Sequence, residues 1–197
     1  MGHTFPQFTL KHWVILTVFT YGLISLFLFS LSAKSANESA LLSAAPSLKG
    51  ETLYPVDKIV IPALDIVAPI TAVSSTDPKD FKLPLKEGVA LYPSVKPGDN
   101  GGAIILGHSS PPGWPKINYD WVFSTINTLQ ENDEIIVYFQ GKKYVFAVSG
   151  SLFLGKGQDI PSWALASRTP TLLLVSCWPP GINNKRIVML AELKEGI

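Results

Sequence analysis

Glu134-Ile-Ile-Val-Tyr-Phe-Gln-Gly-Lys-Lys-Tyr-Val-Phe-Ala-Val148 reads as a β-hairpin. Two runs of β-branched and aromatic residues, 134–139 and 143–148, flank a Gln140-Gly141-Lys142 turn, and the glycine suits that turn. The same pattern extends outward on both sides. Lys58-Ile-Val-Ile-Pro62 and Ile66-Val-Ala-Pro-Ile70 read as one strand, a kink and a second strand. Residues 103–106, 171–177 and 186–193 supply three more. Short strands separated by Pro, Gly, Asn and Asp predict a mainly β chain closed, or nearly closed, into an antiparallel barrel. Closure removes the exposed edges that would otherwise pair with other chains. Two short helices are expected, at 121–127 and 161–166.

The strands begin only at Asp57, and what precedes them is different in kind. Residues 13–31 carry no charged side chain and are dominated by Val, Ile, Leu and Phe. As a helix they reach about 28 Å, close to the thickness of a bilayer core. Trp13 suits the interface, and Lys11 with the amino terminus favours a cytoplasmic location for residues 1–12. Residues 32–56, rich in Ser and Ala, read as a stalk, and 57–197 as the domain it carries outside the cell. The expectation is a single-pass protein of the cell membrane with an extracellular domain. A cleaved signal peptide ending near Ala33-Lys34-Ser35 is the rival reading, and it also exports the domain.

Composition narrows the chemistry. The chain has 16 Lys and Arg against 15 Asp and Glu. From Asp57 onward the two signs balance without a basic run, which argues against a nucleic-acid partner. A single cysteine excludes an intramolecular disulfide and fits no zinc spacing. Residues 155–170 offer only Asp159 as a carboxylate, too few oxygen ligands for calcium. No metal or other cofactor is expected.

That cysteine, Cys177, ends the apolar run Thr171-Leu-Leu-Leu-Val-Ser. His108, in Gly107-His108-Ser109, is the only histidine beyond residue 12, since His3 and His12 precede the apolar segment. Arg186 opens the last strand. A thiol nucleophile, an acid-base group and a cationic donor for a developing oxyanion make a minimal set for acyl transfer. Arg168 is the only substitute for the arginine. Ser109 and Ser176 are expected to support the site from beside it, and Trp114, Trp121 and Trp163 to pack in the core or loops rather than meet substrate.

The chain resembles the sortases, membrane-anchored cysteine transpeptidases of the bacterial surface. The matching residues are Lys58 to Ile70, Gly101-Gly-Ala-Ile-Ile-Leu-Gly-His-Ser109, Leu129-Gln-Glu-Asn-Asp-Glu-Ile135, and Thr171 to Cys177 with Arg186-Ile-Val188. The family usually places Thr before the cysteine; this chain has Ser176. The resemblance implies an eight-stranded barrel with His108, Cys177 and Arg186 on neighbouring strand ends. It also implies cleavage of a Leu-Pro-x-Thr-Gly-like C-terminal sorting signal on surface proteins, through a Cys177 thioester. The acyl group then passes to an amine acceptor, a peptidoglycan peptide or a pilin lysine. Pilin-building members often carry an N-terminal lid with an Asp-Pro-aromatic motif. Residues 34–56 have none, and Asp77-Pro78-Lys79 reads as a turn, so general protein anchoring is the better expectation. Trp178-Pro-Pro-Gly181 is expected to shape the groove rim. Two other classes are a membrane-tethered barrel that binds peptides without catalysis, and another exported cysteine peptidase or acyl-transferase. The cysteine L,D-transpeptidases, one such class, hold His and Cys close in sequence, unlike this chain.

Overall fold

The computed structural model describes residues 56–196. The expected cytoplasmic segment, membrane span and nearly all of the stalk lie outside them. Among the described residues no helix is long and apolar enough to cross a membrane.

Eight strands close into a barrel: β1 (Lys58–Ile61), β2 (Ile66–Ala72), β3 (Val89–Leu91), β4 (Gly101–Leu106), β5 (Glu134–Phe139), β6 (Lys142–Gly155), β7 (Pro170–Trp178) and β8 (Lys185–Gly196). Their order around the barrel is β1-β2-β3-β4-β7-β8-β6-β5. The expected β5–β6 hairpin forms, with a turn one residue shorter than expected because Lys142 pairs with Phe139 as the first residue of β6. Gln140 and Gly141 both take positive φ, 52° and 78°, the pair of values a two-residue primed turn needs. The Asp57 carboxylate accepts the Gln140 N–H at 2.7 Å.

The expectation of a wholly antiparallel barrel is corrected at two seams. β2 pairs with β3 in parallel, and β4 pairs with β7 in parallel from Gly101↔Pro170 to Leu106↔Val175. Parallel partners need a crossover connection, and the segments between these strands supply it. β3 itself was not foreseen, and β6 runs on to Gly155 well past Val148, with register shifts between Val145/Phe146 and Val148/Gly150. The helices also differ. Residues 121–125 form turns followed by a 3-10 helix at Ile126–Thr128. The expected helix at 161–166 is present as α2 (Ser162–Leu165). An unforeseen pair precedes β3, a 3-10 helix at Pro78–Phe81 and α1 (Lys82–Glu87).

Alternate residues of each strand fill the interior. Ile59 and Ile61, Ala103 and Ile105, Ile135 and Val137, Leu172 and Leu174, Ile187 and Met189 form one core with Phe146 and Phe123. The opposite face of β4, β7 and β8 is covered too. Ile104, Leu173, Val175 and Val188 pack there with Leu154 and with Ala164 of α2. Burial on both faces is why β7 reads as an unbroken apolar run instead of alternating. Trp121 packs partly buried against the core, as expected. Trp114 and Trp163 are not core residues: they are 52% and 63% exposed.

Leu174 is fully buried and Val67 is 57% exposed. Leu174→Ala is expected to cost about 2–5 kcal/mol in urea unfolding, and Val67→Ala within about 0.5 kcal/mol. Similar losses at the two positions would contradict the assigned interior.

Candidate functional site

β4 and β7 run the same way, so both end at the same rim of the barrel. The ladder pairs Leu106 with Val175, and the Gly107 N–H continues it by donating to the Val175 carbonyl at 3.1 Å. Two residues beyond Leu106 and Val175 come His108 and Cys177. In the antiparallel β7–β8 pair, Cys177 lies directly opposite Arg186. Side chains alternate along a strand. Cys177 therefore shares the outer face with Val175 and Leu173, and Arg186 shares it with Val188. Three adjacent strand ends thus bring the sequence-selected histidine, cysteine and arginine together on one outer face. All three are half-buried.

They line one groove of about 380 Å³. Its remaining wall was not foreseen: Thr76, Pro78, Phe81 and Leu85 from the connection before β3, with Tyr92 just after it. The Phe81 and Tyr92 rings stack with centroids 5.7 Å apart and an interplanar angle of 17°. Asp77, expected only in a turn, caps the 3-10 helix that carries Phe81. Its carboxylate accepts the Lys79 N–H at 3.0 Å and pairs with the Lys79 ammonium at 2.9 Å. Lys79, through its side chain first and its backbone N–H second, holds the Asp77 carboxyl below the ordinary carboxylate value. That cap is present above the unfolded-state value and is lost as pH falls through the lowered folded value. Arg168 is exposed and lies outside the groove lining.

The two serines expected beside the site lock its halves together reciprocally. Ser176, 3% exposed and facing the interior, donates its hydroxyl to the Gly107 carbonyl at 2.8 Å. Ser109 donates to the Cys177 carbonyl at 3.0 Å. Each segment thus sends a hydroxyl to the residue before or at the other's reactive position. Gly107 has a steric reason as well, because a Cβ there would run into the Phe123 ring, while the Phe123 N–H donates to the His108 carbonyl at 2.9 Å. Ser110 was missed in the sequence. It is buried and folds the following loop by donating to the Asp120 carbonyl at 2.7 Å. The Ser124 hydroxyl accepts the Ser110 N–H at 2.7 Å. The only hint was the Ser109-Ser110 doublet. Residues 178–181, expected at the groove rim, are not among those lining the groove; they meet the loop after His108, where the Gly181 N–H donates to the Ser109 carbonyl at 3.2 Å and a Cβ at Gly181 would collide with Pro111.

Among the described residues no hydrogen bond joins the side chains of His108, Cys177 and Arg186. Arg186 Nη1 donates to the Lys185 carbonyl at 3.0 Å. Arg186 lines the groove together with a thiol and an imidazole. That combination is suited to acyl transfer from a bound peptide.

Comparison with known proteins agrees with this arrangement. A family model described as Sortase domain matches residues 59–194. Among solved structures, the chain is similar to sortase A from Corynebacterium diphtheriae at 23% identity and a TM-score of 0.58, covering 71% of this chain and 60% of that one. It is similar to sortase C from Clostridium perfringens SM101 at 21% identity and a TM-score of 0.55, covering 71% of this chain and 70% of that one. Sortase C-1 from Actinomyces oris gives 22% identity and a TM-score of 0.58 over 75% of this chain and 78% of that one. At these identities the likeness to solved structures is one of fold. No curated protein matches in sequence.

Removing the Ser176 hydroxyl leaves the Gly107 carbonyl without that donor. Ser176→Ala is expected to lower stability by about 1–3 kcal/mol in urea unfolding. A loss under about 0.5 kcal/mol would show that this bond does not hold the two strand ends together.

Proposed function

The chain belongs to the sortase family, whose members are cysteine transpeptidases, and from that premise we propose that it cleaves a Leu-Pro-x-Thr-Gly-like C-terminal sorting signal and transfers the protein to an amine at the cell surface. The observation that carries this reading is the arrival of His108, Cys177 and Arg186 at one level of three adjacent strands, inside one groove. Residues 13–31 act as the membrane anchor, and the barrel faces outward.

In the first half-reaction the Cys177 thiolate attacks the carbonyl carbon of the scissile bond. Negative charge grows on the carbonyl oxygen, and the Arg186 guanidinium stabilises it with fixed donors that stay charged. His108 as imidazolium protonates the departing amine, the C–N bond breaks, and a thioester remains on Cys177. In the second half an acceptor amine attacks that thioester, and His108 takes its proton. The C–S bond breaks and Cys177 leaves as thiolate, so the thiolate and imidazolium are restored. Phe81, Leu85 and Tyr92 give the groove an apolar wall for the signal's side chains. Ser109 and Ser176 act through position, since each holds a strand end rather than a reacting atom. No cofactor enters these steps.

The test is incubation of the full chain, in mild detergent, with a library of Leu-Pro-x-Thr-Gly-like peptides and candidate amines, followed by mass spectrometry. A thioester adduct on Cys177, absent in Cys177→Ala, together with a peptide joined to an amine, is the expected result. Arg186→Ala is expected to lower the rate of adduct formation by about 10²–10³, and Arg186→Lys by less. A folded chain that forms no adduct with any peptide would favour a barrel that binds without catalysis.

A further inference from the structure

His108 borders two hollows, not one. Besides the groove it lines a cavity of about 210 Å³ with Ser109, Ser110, Pro111, Trp114 and Asp120. The two hollows have only His108 in common. Through Ser110, Pro111 and Trp114 the second cavity continues into a further hollow of about 240 Å³ that also contains Trp121 and Lys116. The chemistry of this trough is polarised. Asp120 is the one carboxylate residue lining it, is half-buried, and makes no ion pair among the described residues. Its backbone is fixed, because the Ser110 hydroxyl donates to the Asp120 carbonyl at 2.7 Å. Trp114 borders the same cavity and is 52% exposed. A carboxylate beside an open indole is a recognition pair for an ammonium group. Lys116 lies at the other end, with its ammonium 4.5 Å from the Trp121 ring centroid, and repels a cation toward the Asp120 end.

We propose that this trough is the entry site for the acceptor, and that Asp120 and Trp114 hold its primary ammonium beside His108. The inference rests on the transpeptidase reading and specifies its second substrate as cationic. The position also suits the chemistry. A bound ammonium releases one proton to solvent, and its nitrogen then forms a bond to the thioester carbonyl carbon. The second proton passes to His108, the C–S bond breaks, and Cys177 leaves as thiolate. The sorting signal occupies the groove, so the two substrates reach His108 without competing for space.

The experiment compares two acceptors on the full chain, using a peptide that acylates Cys177. Nα-acetyl-lysine amide is a cation at neutral pH; hydroxylamine is uncharged and yields a hydroxamate. Asp120→Asn is expected to raise KM for the lysine amide by about threefold to tenfold relative to hydroxylamine, and Asp120→Glu to restore most of the loss. Trp114→Ala, at an exposed position, is expected to shift KM in the same direction and serves if Asp120→Asn does not fold. Equal changes for the two acceptors, or none, would overturn the assignment while leaving the transpeptidase reading intact. No hydroxamate from the wild-type chain would remove that reading and the inference with it.

Discussion

The parallel pairing of β4 with β7 is the constraint on which the site depends. Two parallel neighbours finish at the same rim, so the residues two positions beyond Leu106 and Val175 are carried side by side. Had the pair been antiparallel, the end of β4 would face the start of β7 near Pro170, and His108 would stand a full strand length from Cys177. The antiparallel β7–β8 pair then does the complementary work, setting Arg186 across from Cys177. Cys177 and Arg186 are ladder positions, and His108 follows directly from the end of β4, with its carbonyl held by the Phe123 N–H.

The second requirement is that these strand ends keep their place, and the barrel meets it with hydrogen bonds from serine. Ser176 points inward and holds the Gly107 carbonyl; Ser109 holds the Cys177 carbonyl. Phe123 fills the space that a side chain at residue 107 would take. Behind the site, Leu173, Val175 and Val188 form a small second core on the outer face. Cys177 and Arg186 therefore sit on a packed layer and not on a bare sheet. Rigid support of this kind reduces the reorganisation needed as charge develops on a reacting carbonyl.

Strands whose two faces differ, or whose apolar runs are long, were legible in the sequence. The β5–β6 hairpin and the last two strands follow from local pattern alone. β3 was not legible, because the three residues Val89–Leu91 are too few to display a period. α1 was hidden by Pro84 within Lys82–Glu87, a residue that ordinarily breaks a helix. The parallel seams are absent from any local pattern, although the unbroken apolar run of β7 was the trace of them. His108, Cys177 and Arg186 could be singled out because each is scarce or alone in its part of the chain. Phe81, Leu85 and Tyr92 could not: they are ordinary apolar residues, and only the packing of the segment before β3 on β2 and β3, with Phe81 stacked on Tyr92, turns them into a wall. Asp120 was silent for a similar reason, since its meaning lies in the cavity it shares with His108.

Whether Cys177 and His108 form a working pair is read from the rate at which iodoacetamide alkylates Cys177 in the native full chain at neutral pH, measured beside a His108→Ala variant. Faster alkylation is expected in the wild-type chain, with the difference vanishing when both are unfolded in urea. Equal rates in the native state would contradict the pairing, because the thiol would then be indifferent to the imidazole that the β4–β7 ladder sets beside it.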